Sequence, residues 1–260
     1  MCIRDSDQRY PDLFRVEEWE REFSAYVTSK NLPELEVLTI NHDHFGSFSK
    51  AIEGLDTPTL QFADDDYALG RLVADVTHSP YANDTAIFVL EDDSQNGPDH
   101  IDGHRSIAYV VSPYTKRHVV IHTTYTTLNV LRTIEGILGL RPLGMHDANA
   151  RPMSDLFLGT PSSDAYRALI PGVLCAPPVS DDFLPACKTA RAPVRTAEVP
   201  ARHDVAWWTA QTRGFNFREP DKVDAGAFNA VLWKGLSAGT RDVTLRTASV
   251  RAPLPRRAVR

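Results

Sequence analysis

Eighteen consecutive residues, Phe88-Val-Leu-Glu-Asp-Asp-Ser-Gln-Asn-Gly-Pro-Asp-His-Ile-Asp-Gly-His-Arg105, place five carboxylates and two imidazoles directly after an apolar run. Oxygen and imidazole donors in one short loop suit a hard or borderline divalent cation. At the carboxyl end of a strand, where α/β sheets bind their ligands, such a loop reads as a metal site. Asp92 and Asp93 are adjacent, and at the irregular end of a strand both can turn toward one cation and neutralise it. An isolated Asp-Asp pair is usually a solvated turn. Here His100 and His104 follow, and a second polar cluster, Asn41-His-Asp-His-Phe-Gly46, ends another strand-like run. A calcium-binding helix–loop–helix does not fit. Asp92, Ser94, Asn96 and Gly97 match its early positions, but Gly103 stands where a bidentate Glu is required.

The elements that must carry these residues follow from periodicity. Leu13, Phe14, Trp19, Phe23, Tyr26 and Val27 repeat as on a helix, which Asn31-Leu-Pro33 stops. Leu35-Glu-Val-Leu-Thr-Ile40 reads as a strand running into the His-Asp-His cluster. Asp64-Asp-Asp66 are expected to cap a helix bearing Leu69, Leu72, Val73 and Val76, closed by Ser79-Pro80. Thr85–Leu90 and Ile107–Val111 are short, continuous and apolar, as in parallel strands buried on both faces, and a right-handed crossover should join the first of them to Leu35–Ile40. Leu128, Leu131, Ile134, Ile137 and Leu138 give a last core helix, ended by Gly139. The order α-β-α-β-β-α implies an α/β fold, a mostly parallel sheet covered by helices. Residues 161–205 are Pro-rich and read as an irregular connector, 206–240 as short helices packing back on the core, and 241–260 as a disordered tail.

Composition bounds the function. The chain has 260 residues, a net charge of −6 and 42% hydrophobic residues, an ordinary globular balance. No run is long enough for a membrane span, and the acidic balance argues against a nucleic-acid-binding surface. Cys175 and Cys187 lie twelve apart without metal spacing, so a disulfide and two free thiols both remain open. Met1-Cys-Ile-Arg-Asp-Ser6 is not a secretion signal. It matches the translated end of a transposase adapter used in sequencing libraries, so residues 1–6 are expected to be a scar and the natural chain to begin upstream of Asp7.

Three stretches together carry a resemblance: Ala86 to Ser106, Val111-Ser-Pro-Tyr114, and His122-Thr-Thr-Tyr125 with Leu131-Arg-Thr-Ile-Glu135. They resemble the carboxy-terminal half of the phosphoesterase family of bacterial phospholipases C and acid phosphatases, within the alkaline phosphatase superfamily. The branch fused to an upstream β-propeller is the most similar, with Asn41 to His44 and Phe217-Arg-Glu-Pro-Asp221 adding to the likeness. The similarity covers residues 32–160 well and 214–236 faintly.

This resemblance implies a three-layer α/β sandwich with a mostly parallel sheet, whose amino-terminal part is missing here, and residues 7–160 as the carboxy-terminal part of the core. It implies a hydrolase that forms a phosphoryl-enzyme on a Ser or Thr beside one or two divalent metals, Zn²⁺, Mn²⁺ or Ca²⁺. Asp92 and Asp93 take the late pair of ligand positions, His104 the final metal-binding His, and His44 with Asp43 the earlier ligand. Ile40 stands where an Asp usually precedes that ligand, which puts a second full metal site in question. His100 and His122 are candidate phosphate contacts. The nucleophile has no counterpart in this chain, which is therefore expected to turn over little alone. The implied partners are a phosphate-ester substrate and the upstream β-propeller, and the implied compartment is periplasmic or secreted. A non-catalytic metal-binding module of the same fold and a metal-dependent phosphomutase are the alternatives.

Overall fold

Asp64, a residue of the second helix, caps the first, and this single arrangement organises much of the fold. In the computed structural model, which describes residues 7–44, 46–91, 106–162, 165–188, 203–219 and 222–236, α1 spans Asp12–Ser29 and α2 spans Pro58–His78. The residue before α1 is Pro11, whose side chain can cap nothing, so the first amides of α1 donate to the Asp64 carboxylate instead. Thr57 caps α2 from its own side-chain oxygen and Pro58 opens it. The helix thus begins one and a half turns before Asp64-Asp-Asp66, which lie inside it. Leu13, Val16 and Phe23 of α1 and Leu60, Tyr67, Ala68, Val73 and Val76 of α2 are buried. Arg71 bridges the two helices through ion pairs to Glu17 and Glu20.

The rest of this core comes from a distant stretch. Leu174, Val179, Phe183 and Leu184 pack with Leu13, Leu55, Leu60 and Tyr67. Each such side chain contributes about 1.5–3 kcal/mol on burial. Cys175 and Cys187 form a disulfide with Cα atoms 5.4 Å apart, resolving the pairing left open by the sequence.

The expected parallel α/β sandwich is not what forms. Among the described residues the chain is mostly helical and holds one sheet of two strands, β1 at Ile87–Leu90 and β2 at Ala108–Val111. They pair antiparallel, Ile87 opposite Val111 and Leu90 opposite Ala108. Beyond Leu90 and Ala108 the pairing continues by one step, the Glu91 N–H donating to the Ile107 carbonyl at 3.1 Å. A parallel pair would need a crossover carrying the chain back along the strand direction. Leu35–Ile40, the other expected strand, is not in a sheet; Val37 is 87% exposed. The amides of Asn41 and His42 at its end are taken by the Asp12 carboxylate, and Glu36 accepts from the Trp19 indole, so this run is tied down by side chains and not by a ladder.

Ile87, Val89, Tyr109 and Val111 fall on one face of the ribbon and, with Leu69, Gly70, Val73 and Val76 of α2, line a cavity of about 680 Å³. Helix α3, Thr127–Leu138, starts at a capping box of Thr126 and Asn129 and stops at Gly139, whose φ of +68° is the left-handed turn that glycine adopts at no cost. A short helix, α4, follows at Met145–Ala148.

Residues 203–219 and 222–236 belong to a second compact unit. Its helices are α5, Val205–Thr212, capped by Asp204, and α6, Ala225–Leu236. Phe215, Phe217 and Phe228 meet edge to face, and His203 stacks on Trp207 at 3.8 Å. A Cβ on Gly235 would lie 2.2 Å from the Trp208 ring, so only glycine lets α6 approach that ring.

Candidate metal centre

Three elements meet at one buried point: the amino terminus of α1, the turn at 41–44 and the second turn of α2. They deliver Asp12, His42 and Asp64, all at most 1% exposed. One ligand atom from each, a carboxylate oxygen or imidazole nitrogen, lies within 4.8 Å of the others. Two carboxylates and an imidazole at that separation can hold a divalent cation.

The same atoms are also fully engaged with the protein. Asp64 accepts the Asp12 N–H at 2.7 Å and the Leu13 N–H at 3.2 Å, and its Oδ2 lies 2.6 Å from His42 Nδ1. Asp12 accepts the amides of Asn41 and His42 and pairs with Arg15 at 3.1 Å. His42 Nε2 lies 3.0 Å from the Gln8 carbonyl. A carbonyl only accepts, so Nε2 carries a proton; Nδ1 facing a carboxylate carries the other. His42 is therefore held as an imidazolium. Burial pulls its pKa down, but the Asp64 hydrogen bond and the charges of Asp12 and Asp64 prevail and the net shift is upward. With Arg15 and His42 facing Asp12 and Asp64, the formal charges cancel. A cation here replaces the imidazolium proton and adds positive charge to a balanced site.

Asp65 stands beside this group without a partner of its own. Its Oδ1 is buried and unbonded, and burial, then the charges of Asp12, Asp43 and Asp64, push its carboxyl up to about 8. Asp12 is also shifted upward, first by burial. Asp65 thus holds its proton far more readily than an ordinary carboxyl.

Of the residues singled out from the sequence, only Asp43, His44 and His122 are among the described residues. Asp92, Asp93, His100 and His104 lie outside the described residues. Asp43 is half-buried beside the centre, while His44 is exposed and its Nδ1 bonds the Gln8 amide at 2.9 Å. His122 is exposed on the approach to α3, where Thr123 and Tyr125, on either side of Thr124, both donate to Asp155. Within the cluster Asn41 to Gly46, His42 and not His44 turns inward. Asp12 carried no signal of its own: an acid in the first turn of a helix is ordinary.

Among the described residues no helix is long and apolar enough to cross a membrane. Comparison with protein-family models, with curated proteins and with solved structures found no match to this chain.

Proposed function

We propose that this chain carries the metal-binding part of a metal-dependent phosphoesterase. The observation that carries the reading is the long acidic motif that follows β1, together with its likeness to the phosphoesterase family. β1 ends at Leu90, immediately before Glu91, the first of the five carboxylates in the sequence stretch that also bears both imidazoles. In this reading Asp92, Asp93 and His104 hold the cation, and His100 and His122 meet the phosphate. A divalent ion there polarises a phosphoryl oxygen and offsets the charge that develops on transfer. No residue of the chain is assigned as nucleophile.

The test is to express the full open reading frame that carries this sequence and assay it with p-nitrophenyl phosphate and its phosphorylcholine ester, with and without EDTA. Metal-dependent release that Asp92→Asn/Asp93→Asn abolishes is the expected result. A folded, metal-loaded protein that releases nothing overturns it.

One observation favours a second reading, a non-catalytic module that binds a cation for structure. Asp12, His42 and Asp64 are wholly buried and bring one ligand atom each within 4.8 Å of the others, where no substrate has access.

A further inference from the structure

Between α3 and α4 the chain presents an apolar prong. Leu140 is 52% exposed, Leu143 83% and Met145 78%, and Ile137 in the last turn of α3 is exposed beside them. Every residue from 139 to 146 is exposed. Single exposed apolar side chains need no explanation, but four within nine residues do.

The prong is held rigid by buried carboxylates. Glu135 and Asp147 are 2% and 3% exposed, and both accept from the Leu143 N–H, at 3.3 Å and 2.5 Å. Asp147 also accepts the Gly144 N–H at 2.9 Å, and the Leu140 N–H returns to the Glu135 carbonyl at 2.8 Å. Pro142 fixes one further φ at the tip. Preorganised in this way, the apolar side chains stay outward, where a floppy loop would fold them back.

The charge of the prong is one-sided. From Gly136 to His146 there is no Asp or Glu, and the polar side chains are Arg141 and His146. The only acids, Glu135 and Asp147, are turned inward on the loop's own amides. Apolar side chains that project beside a basic group match a bilayer interface, where the former enter the acyl boundary and the latter meets anionic headgroups. A protein groove would ask for an acidic complement just as well, but the three side chains at the tip, Leu140, Leu143 and Met145 around Pro142, have no shape that selects one partner. We propose that residues 137–146 are a membrane-docking loop that inserts Leu140, Leu143 and Met145 into the surface of an anionic bilayer. The proposal is independent of the phosphoesterase reading and describes attachment to one leaflet, not a span.

Cosedimentation of the whole chain with vesicles tests it. Binding is expected to phosphatidylcholine:phosphatidylglycerol vesicles, to weaken on pure phosphatidylcholine and in high salt, and to drop by at least about tenfold in Leu143→Asp/Met145→Asp, as the loss of two buried apolar side chains requires. Both positions are exposed, so an unchanged circular dichroism spectrum is expected for the double variant. Leu143→Trp provides a second readout, a blue-shifted emission on anionic vesicles alone. No cosedimentation with either vesicle, or equal binding by wild type and the double variant, overturns the proposal. So does a gel-filtration dimer that the double variant splits, which would make the prong a protein contact.

Discussion

His42 Nδ1 lies 2.6 Å from Asp64 Oδ2, both side chains wholly buried, while the other imidazole nitrogen donates to the Gln8 carbonyl. The pair joins the 41–44 turn to α2, and Asp64 extends the link to the first amides of α1. Three segments thus converge on one carboxylate.

Removing that carboxylate is expected to be severe. Asp64→Ala strands two helix-terminal N–H groups and a buried imidazolium, a loss of about 3–5 kcal/mol. Asp64→Asn keeps one acceptor and is expected to lose less. Urea denaturation of the two variants checks the order, and equal losses would show that the charge is irrelevant.

The centre also makes stability depend on pH with a definite sign. Burial and the neighbouring carboxylates push the Asp65 carboxyl from its ordinary value near 4 up to about 8, and Asp12 and His42 are shifted upward too. Groups whose folded pKa is raised bind protons more tightly when folded, so their contribution is complete below the unfolded pKa and is lost as pH rises through the folded one. For Asp65 the window runs from about 4 to about 8. Asp65→Asn is therefore expected to match wild type near the lower end and to exceed it above the upper end. Midpoints of thermal unfolding across that range decide it; a parallel offset at all pH values would remove the proton from the account.

A cation at Asp12, His42 and Asp64 must displace the imidazolium proton. Zn²⁺ or Mn²⁺ is thus expected to stabilise the chain more at higher pH, by about 2.7 kcal/mol at a hundredfold excess over its Kd. His42→Gln should abolish the shift. If neither metal moves the unfolding midpoint at any pH, the three residues are a salt-linked clamp and not a metal centre.

The Cys175–Cys187 disulfide closes a loop of twelve residues' separation that contains Val179, Phe183 and Leu184 of the core. Reduction is expected to cost about 2–4 kcal/mol. Chemical denaturation with and without dithiothreitol measures it, and an unchanged midpoint would mean that packing alone holds the segment.

What was legible beforehand was local. The apolar repeats of α1, α2 and α3 and the glycine stop at Gly139 are read from neighbours within one or two turns, and β1 and β2 from short apolar runs. Leu35–Ile40 has the same run but no strand beside it, because β propensity describes a fit to a partner surface that this chain does not place there. Asp64 was recognised as a capping residue, yet for the wrong helix: spacing along the chain cannot say whose amides a carboxylate will meet.

The sequence by itself determined the positions of the main helices and the two apolar strands, since helix periodicity, caps and turn residues act over a few positions. Only the tertiary structure decided the antiparallel pairing of β1 with β2, the choice of His42 over His44 and the joining of Asp12, His42 and Asp64. Those contacts bridge separations of 18 to 52 residues, and packing, which the order of residues does not display, selects them.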